Sequence, residues 1–199
     1  FSPLDEDDFF TARLHKNEKR ASRGGNEEMD TVFAIFFYIV VTGFSIGGLV
    51  AGQREKNKLL QILFFIIFFF VLCYIGMIIG MFFSGWVSVT LVEYVIIVVA
   101  LLFIVACASR YHPSVGFFHL GSQTTFFILI SLFVFMGMEW GLLNYRTFFT
   151  LFSTLLFALS LLGGLIVQLY VRYKWWRHSF LVFMPLVWLF LASISKLVR

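Results

Sequence analysis

Two glutamates interrupt the long apolar runs of this sequence. Glu93 lies in "TLVEYV", and Glu139 lies in "GMEWGLLNYR", which continues to Arg146. An ionised acid inside a bilayer is costly, so such residues usually face a protein interior, a partner or water. Their chemistry would be ion pairing or the binding of a proton or cation. We therefore predict a polar intramembrane cluster of Glu93, Glu139 and Arg146.

Composition places the chain among membrane proteins. It has 199 residues, of which 60% are hydrophobic and 13% charged, whereas soluble domains average about 25% charged residues. The apolar residues form blocks of about 20, the length that crosses a hydrocarbon core of roughly 30 Å as a helix. The sequence therefore predicts an all-α, polytopic integral membrane protein with a hydrophilic N-terminal tail.

Six membrane spans follow the tail, which covers residues 1–30. The helical membrane domain, 31–199, has predicted spans at about 31–52, 59–84, 86–108, 124–143, 147–171 and 179–195. The sixth is short and contains Pro185, which predicts a kink or a tilt. The alternative is five spans with one re-entrant or interfacial helix.

The tail is rich in both kinds of charge. Residues 1–30 hold eight acids and five bases, a net charge of −3. Residues 9–20 could form a short helix that Gly24 and Gly25 would end. The tail is either a solvated segment or a strap that docks on a neighbouring subunit, with Phe9, Phe10 and Leu14 as anchors.

Loop charges predict the orientation of the spans. With six spans, one membrane side (side A) carries both termini and Arg146, together with Lys196 and Arg199 at the chain end. The opposite side (side B) carries most of the loop bases, namely Arg54, Lys56, Lys58, Arg110, Arg172, Lys174 and Arg177. Cytoplasmic loops are enriched in Lys and Arg, so side B should face the cytosol or the mitochondrial matrix.

This topology brings the two glutamates into one half of the membrane. The third span begins and the fourth ends on side A, so Glu93, Glu139 and Arg146 share that half. The alternative is that Glu139 and Arg146 reach the lipid headgroups independently.

Small residues mark where helices could approach each other closely. The first span has ridges at Gly43 and Gly47 and at Gly48 and Gly52, and the second has one at Gly76 and Gly80. The first set lies near side B and the second near side A. The two sets are therefore expected to contact different partners rather than each other.

A basic and aromatic segment on side B predicts contact with anionic lipid. The stretch "RYKWWRHSF" holds Arg172, Lys174, Trp175, Trp176 and Arg177, on the same side as Arg54, Lys56 and Lys58. Such residues engage headgroups and lipid phosphates. The lipid would be cardiolipin in a mitochondrial membrane, and generic interfacial anchoring is the alternative. Nucleic acid is not expected between two membrane spans.

Other chemistry finds little support. None of the four histidines (His15, His112, His119 and His178) lies well inside a span, so neither haem nor metal is expected. Cys73 and Cys107 lie in apolar runs and behave as small hydrophobes. No catalytic signature is recognisable, and Ser45 in "GFSIGG" belongs to the small-residue ridge. No cofactor is predicted apart from bound anionic lipid.

The leading functional hypothesis is therefore a non-catalytic accessory subunit of a larger membrane complex, with other membrane subunits and lipids as partners. The preferred setting is an organellar energy-transducing complex (respiratory or ATP synthase) in the mitochondrial inner membrane, because Phe1 rather than Met begins the chain and the side-B loops are basic. The endoplasmic reticulum is the alternative location. The alternative functions are a small transporter or channel component that uses Glu93 and Glu139, and a lipid-modifying enzyme that uses Glu93 or the loop histidines.

Overall fold

A computed structural model describes residues 6–52, 58–109, 123–145, 147–174 and 183–197, and within these it leaves out the side chains of 6–28, Lys58 and Arg172. The helices are α1 (Glu6–Ala51), α2 (Lys58–Phe83), α3 (Val89–Ser109), α4 (Gln123–Leu142), α5 (Thr147–Lys174) and α6 (Met184–Leu197). Within these ranges the other regular feature is an isolated bridge between Ser84 and Val87. The all-α, polytopic class is confirmed.

Five helices are long and apolar enough to cross a membrane, and they match five predicted spans closely. Their apolar parts are Met29–Ala51, Leu59–Phe83, Val89–Ser109, Gln123–Leu142 and Thr147–Val171. The sixth differs from the prediction, because α6 is a shorter apolar helix, Met184–Leu197. Pro185 lies in its first turn, where a missing N–H costs nothing, so the predicted kink at this proline is not needed.

The chain divides into two compact units, Phe1–Phe36 and Phe37–Arg199. Helix α1 is continuous through Gly24 and Gly25, so the predicted stop at these glycines is wrong. Glycine in a helix interior costs only about 1 kcal/mol, which neighbouring helix-forming residues can offset.

The glycine ridge of α2 packs against α4. A Cβ atom added at Gly76 would overlap the carbonyl of Val134, and one at Gly80 would overlap that of Met138. The approach is mutual, because Gly137 and Gly141 of α4 lie equally close to the carbonyls of Cys73 and Met77. Residue numbers rise together along both helices, so α2 and α4 are parallel neighbours.

The glycine ridge of α1 packs against α5 and α6. Gly43 and Gly47 lie against the carbonyls of Phe157 and Leu161, and Gly48 lies against the Pro185 ring. Ser160 of α5 also donates a hydrogen bond to the Val40 carbonyl of α1. The two ridges thus contact different helices, and α1 and α5 are a second parallel pair.

The remaining contacts close a ring of neighbours within Phe37–Arg199. Besides α4, helix α2 contacts α5, and helix α3 contacts both α4 and α6. With the glycine contacts of α1, the order around the bundle is α1, α5, α2, α4, α3 and α6. Helix α2 thus lies between α4 and α5, although a short turn joins those two helices.

Aromatic rings fill the middle of this bundle. The rings of Phe69 (α2) and Phe157 (α5) stack with centroids 4.0 Å apart. Phe133 (α4) meets both rings edge-on, at 5.0 and 5.7 Å. All three side chains are fully buried, and each lies near the midpoint of its helix.

The turn after α4 explains Asn144. This residue has a φ of 57°, in the left-handed region that asparagine tolerates better than most residues. The Asn144 N–H donates to the Gly141 carbonyl, and the Tyr145 N–H donates to that of Trp140. This pair of bonds is the Schellman arrangement, which ends α4 directly after its last polar residue, Glu139.

Candidate functional site

A buried ion pair joins the side-A ends of α4 and α6. The Lys196 Nζ donates to both carboxylate oxygens of Glu139, each at 2.7 Å. The side chains of Lys196 and Glu139 are only 8% and 2% exposed. Glu139 therefore does not reach the headgroups independently, as the alternative interpretation required.

The sequence around Glu139 sets which way the carboxylate points. In "GMEWG", Gly137 and Gly141 form the face of α4 that lies against α2. Glu139 is two positions from each, about 200° around the helix. Its side chain is therefore directed away from α2 and reaches Lys196 on α6. The two glycines fix the helix position, and the glutamate uses the opposite face.

Helix ends add to the electrostatics of the pair. Glu139 lies in the last turn of α4 and Lys196 in the last turn of α6. The negative end of a helix dipole favours a cation and disfavours an acid. Lys196 is thus well placed on its own helix, and it supplies the positive charge that Glu139 needs on α4.

Two further polar side chains border the ion pair. The ring of Tyr38 (α1) lies 5.3 Å from the Lys196 Nζ, a cation–π contact, and its side chain is buried. Ser193, one turn before Lys196, is buried and donates to the Leu189 carbonyl of its own helix at 2.9 Å. The cluster thus combines side chains from α1, α4 and α6.

Glu93 on α3 brings a second carboxyl group to the same place. It is partly buried and lies near Glu139. Both oxygens of Glu139 contact Lys196, so the carboxyl group of Glu93 is additional to the ion pair. The cluster of Tyr38, Glu93, Glu139 and Lys196 therefore combines a fixed ion pair with a second carboxyl group.

The predicted partner Arg146 lies outside the described residues, so its place in the cluster stays a prediction. Lys196, which the predicted cluster did not include, is paired with Glu139. The signal for Lys196 was its place at the side-A end of the sixth span, the same membrane half as both glutamates. The spacing of Gly137 and Gly141 was a further signal that α4 has a close neighbour.

Most residues of the predicted lipid contact lie outside the part of the chain that the structure describes. Arg54, Lys56, Trp175, Trp176 and Arg177 fall in undescribed segments, as do the side chains of Lys58 and Arg172. Lys174, the last residue of α5, is described and exposed.

Hydroxyl groups of α1 and α5 bond across the bundle. Ser45 donates to the Pro185 carbonyl at 2.7 Å, which joins α1 to α6. Thr150 donates to the Met77 sulfur at 3.2 Å, which joins α5 to α2, while Thr154 bonds within its own helix. Gly52 closes the end of α1 by donating to the Leu49 carbonyl. The role of Ser45 in the described residues is therefore structural, because its hydroxyl group holds α1 against α6.

In the described part of the chain, no group of three His, Cys, Asp or Glu side chains is placed to hold a metal ion.

Comparison with known proteins finds no relative: no protein-family model, curated protein or solved structure matches this chain. The fold and the polar cluster are therefore the basis of the function proposed for this protein.

Proposed function

We propose that the protein is a non-catalytic subunit of a larger membrane-protein assembly. The observation that carries this proposal is that aromatic rings fill the middle of the bundle and that the buried Glu139 is paired with a base. Phe69, Phe133 and Phe157 are fully buried near the helix midpoints, and Glu139 is paired through both oxygens with Lys196. A carrier or channel needs a polar route past that level, whereas a scaffold needs tight packing.

The N-terminal tail supports a role in docking. Its eight acids and five bases have no use inside a bilayer, and Phe1–Phe36 forms a compact unit of its own. Mixed charge with a few large apolar anchors suits recognition of another subunit, because charge sets orientation while buried anchors supply affinity. Phe9, Phe10 and Leu14 are the proposed anchors.

The proposed setting is an energy-transducing complex of the mitochondrial inner membrane, with the endoplasmic reticulum as the alternative. Its support is the basic character of the side-B loops, which suits a matrix-facing or cytosolic surface. Either location predicts the same behaviour on isolation, namely recovery with other membrane subunits.

Native isolation tests the proposal. The full chain should be extracted from its own membrane with a mild detergent, separated by size and identified with its companions by mass spectrometry. We expect stoichiometric recovery in a complex much larger than the 23.0 kDa chain. A variant with Phe9, Phe10 and Leu14 all changed to serine should leave the complex while its membrane bundle stays folded. Recovery of the wild-type chain alone would contradict the proposal.

The second candidate is a proton- or cation-coupled transporter component. Glu93 is the observation that favours it, because the ion pair of Glu139 and Lys196 is complete without a second carboxyl group. Buried ionisable groups of this kind often mark ion pathways. Proteoliposomes with the purified chain should then show ion movement that Glu93→Gln abolishes and that Asp30→Asn, a change at an exposed acid, leaves intact. Equal activity of both variants would exclude this candidate.

A further inference from the structure

A cavity opens between α1, α5 and α6 in the side-B half of the bundle. Its volume is about 360 Å³, and its walls are mainly apolar: Phe44 of α1, Val167, Gln168 and Val171 of α5, and Pro185 and Trp188 of α6. Gln168 contributes an amide group to this lining. The cavity lies in the opposite membrane half from the Glu139 cluster and shares no lining residue with it.

The start of the sixth helix borders this cavity. The 14 residues of α6 span about 21 Å at 1.5 Å per residue. Lys196 lies beside Glu139 on side A, so Pro185, in the first turn, lies in the side-B half. There Pro185 packs against Gly48 of α1, and α5 continues to Lys174.

Chemistry and size point to a hydrocarbon chain as the occupant. The volume is at the lower end of small-molecule pockets, which are about 300–1,000 Å³, so it suits one acyl chain rather than a whole lipid. Val167 and Trp188 line the cavity and are still 45% and 51% exposed. A chain can therefore enter sideways from the bilayer.

Lys174 supplies charge at the mouth of the cavity. It follows Val167 by seven residues and Val171 by three, so it lies on the same face of α5 as these lining residues. It is exposed at the end of the helix, and its flexible stem allows the ammonium group to reach the headgroup level. Phosphates of anionic lipids are the natural partners of such a base.

We infer that this cavity binds one acyl chain of an anionic phospholipid, whose phosphate contacts Lys174. The site is independent of the proposed assembly role. It assigns the lipid contact that the basic loop predicts to one cavity. Val167 and Val171 form a wall of this cavity, and Lys174 contacts the headgroup.

Cavity-filling variants test the inference. The purified full chain would be delipidated, equilibrated in micelles with equimolar phosphatidylglycerol and phosphatidylcholine of identical chains, and analysed by native mass spectrometry. Val167→Trp should abolish retained phosphatidylglycerol. Ile166→Trp is the matched control, because Ile166 is exposed on the same helix and does not line the cavity. Equal retention by both variants would overturn the inference.

The charge variant tests the headgroup. Lys174→Gln should weaken retention of phosphatidylglycerol about fivefold, the effect of one base near an anionic surface, and leave phosphatidylcholine unchanged. If wild type holds both lipids equally and Lys174→Gln changes neither, the cavity takes acyl chains without choosing the headgroup, and the assignment to anionic lipid fails.

A third measurement needs no cavity-filling variant and decides the matter if Val167→Trp fails to fold. Trp188 lines the cavity, so brominated acyl chains should quench its fluorescence, read as the difference between wild type and Trp188→Phe. Brominated phosphatidylglycerol, at low mole fraction, should quench it more than brominated phosphatidylcholine. Equal quenching would overturn the inference.

Discussion

Lys196→Met should lower the free energy of unfolding of the bundle more than a change at an exposed lysine does. The variant keeps most of the apolar stem and removes the ammonium group that contacts both oxygens of Glu139 at 2.7 Å. Glu139 is 2% exposed, so water cannot replace the lost partner. The variant also removes the cation above the Tyr38 ring.

The size of the effect follows from burial. Removing one partner of a buried ion pair costs about 3–5 kcal/mol, because the other charge is left uncompensated. We therefore expect a cost of about 3 kcal/mol or more, which is at least roughly a hundredfold change in the unfolding equilibrium and a large part of a typical total stability of about 5–15 kcal/mol.

A double-mutant cycle separates the ion pair from the packing of the lysine stem. Reversible unfolding in micelles, followed by circular dichroism, would compare Lys196→Met, Glu139→Gln and the double variant. Since replacing a whole buried pair is often neutral, the double variant should be far more stable than the sum of the single effects predicts. Lys174→Met is the control, because Lys174 is exposed, and it should change stability by less than about 0.5 kcal/mol.

Two results would refute this reasoning. The first is a Lys196→Met variant within about 0.5 kcal/mol of wild type, which would mean that the pair contributes nothing to the folded state. The second is additivity of the two single changes within about 0.5 kcal/mol, as expected for independent sites. Either would show that Glu139 and Lys196 do not act as a pair.

Further predictions concern packing, and the same unfolding measurement checks them. Gly47→Val should lower the free energy of unfolding by about 3 kcal/mol or more, because the new side chain overlaps the Leu161 backbone. Gly163→Val should be tolerated, because a Cβ atom at Gly163 meets no atom within 4 Å. Phe157→Ala should cost about 3–5 kcal/mol by opening the aromatic core, while Phe148→Ala, at an 80% exposed position, should cost little. Ser45→Ala should cost about 0.6 kcal/mol, the average for bonds between membrane helices, and a value near zero would mean that its bond to α6 is not formed.

The number and place of the spans could be predicted because hydropathy acts locally. Five apolar blocks in the sequence became helices with nearly the predicted bounds, since a chain in lipid must satisfy its backbone within each segment. The sixth block could not be placed as well. Bases and aromatics run through residues 172–178 and Pro185 follows, so the sequence offers several starting points, and the proline prefers the first turn of a helix.

Neighbour order is what the sequence could not supply. Glycine spacing predicted close approach along α1 and α2, and the argument from depth predicted different partners for the two ridges. It did not name α5 and α4, because any helix with a facing smooth surface would serve equally well. For the same reason the sequence names Arg146, close to Glu139 along the chain, as a partner and does not indicate Lys196, which is 57 residues away.

The two glycine interfaces explain why the charges meet where they do. Both join parallel helices, α1 with α5 and α2 with α4, and both bring backbones too close for side chains between them. The side chain of Glu139 therefore lies on the other face of α4, towards α6. Helix α6 runs parallel to α4, and α3, which contacts both, runs antiparallel to them. Helices α4 and α6 end on the same side, so their last turns, with Glu139 and Lys196, come to the same depth. The close packing that "GMEWG" allows on one face thus directs its glutamate towards α6, whose last turn holds Lys196.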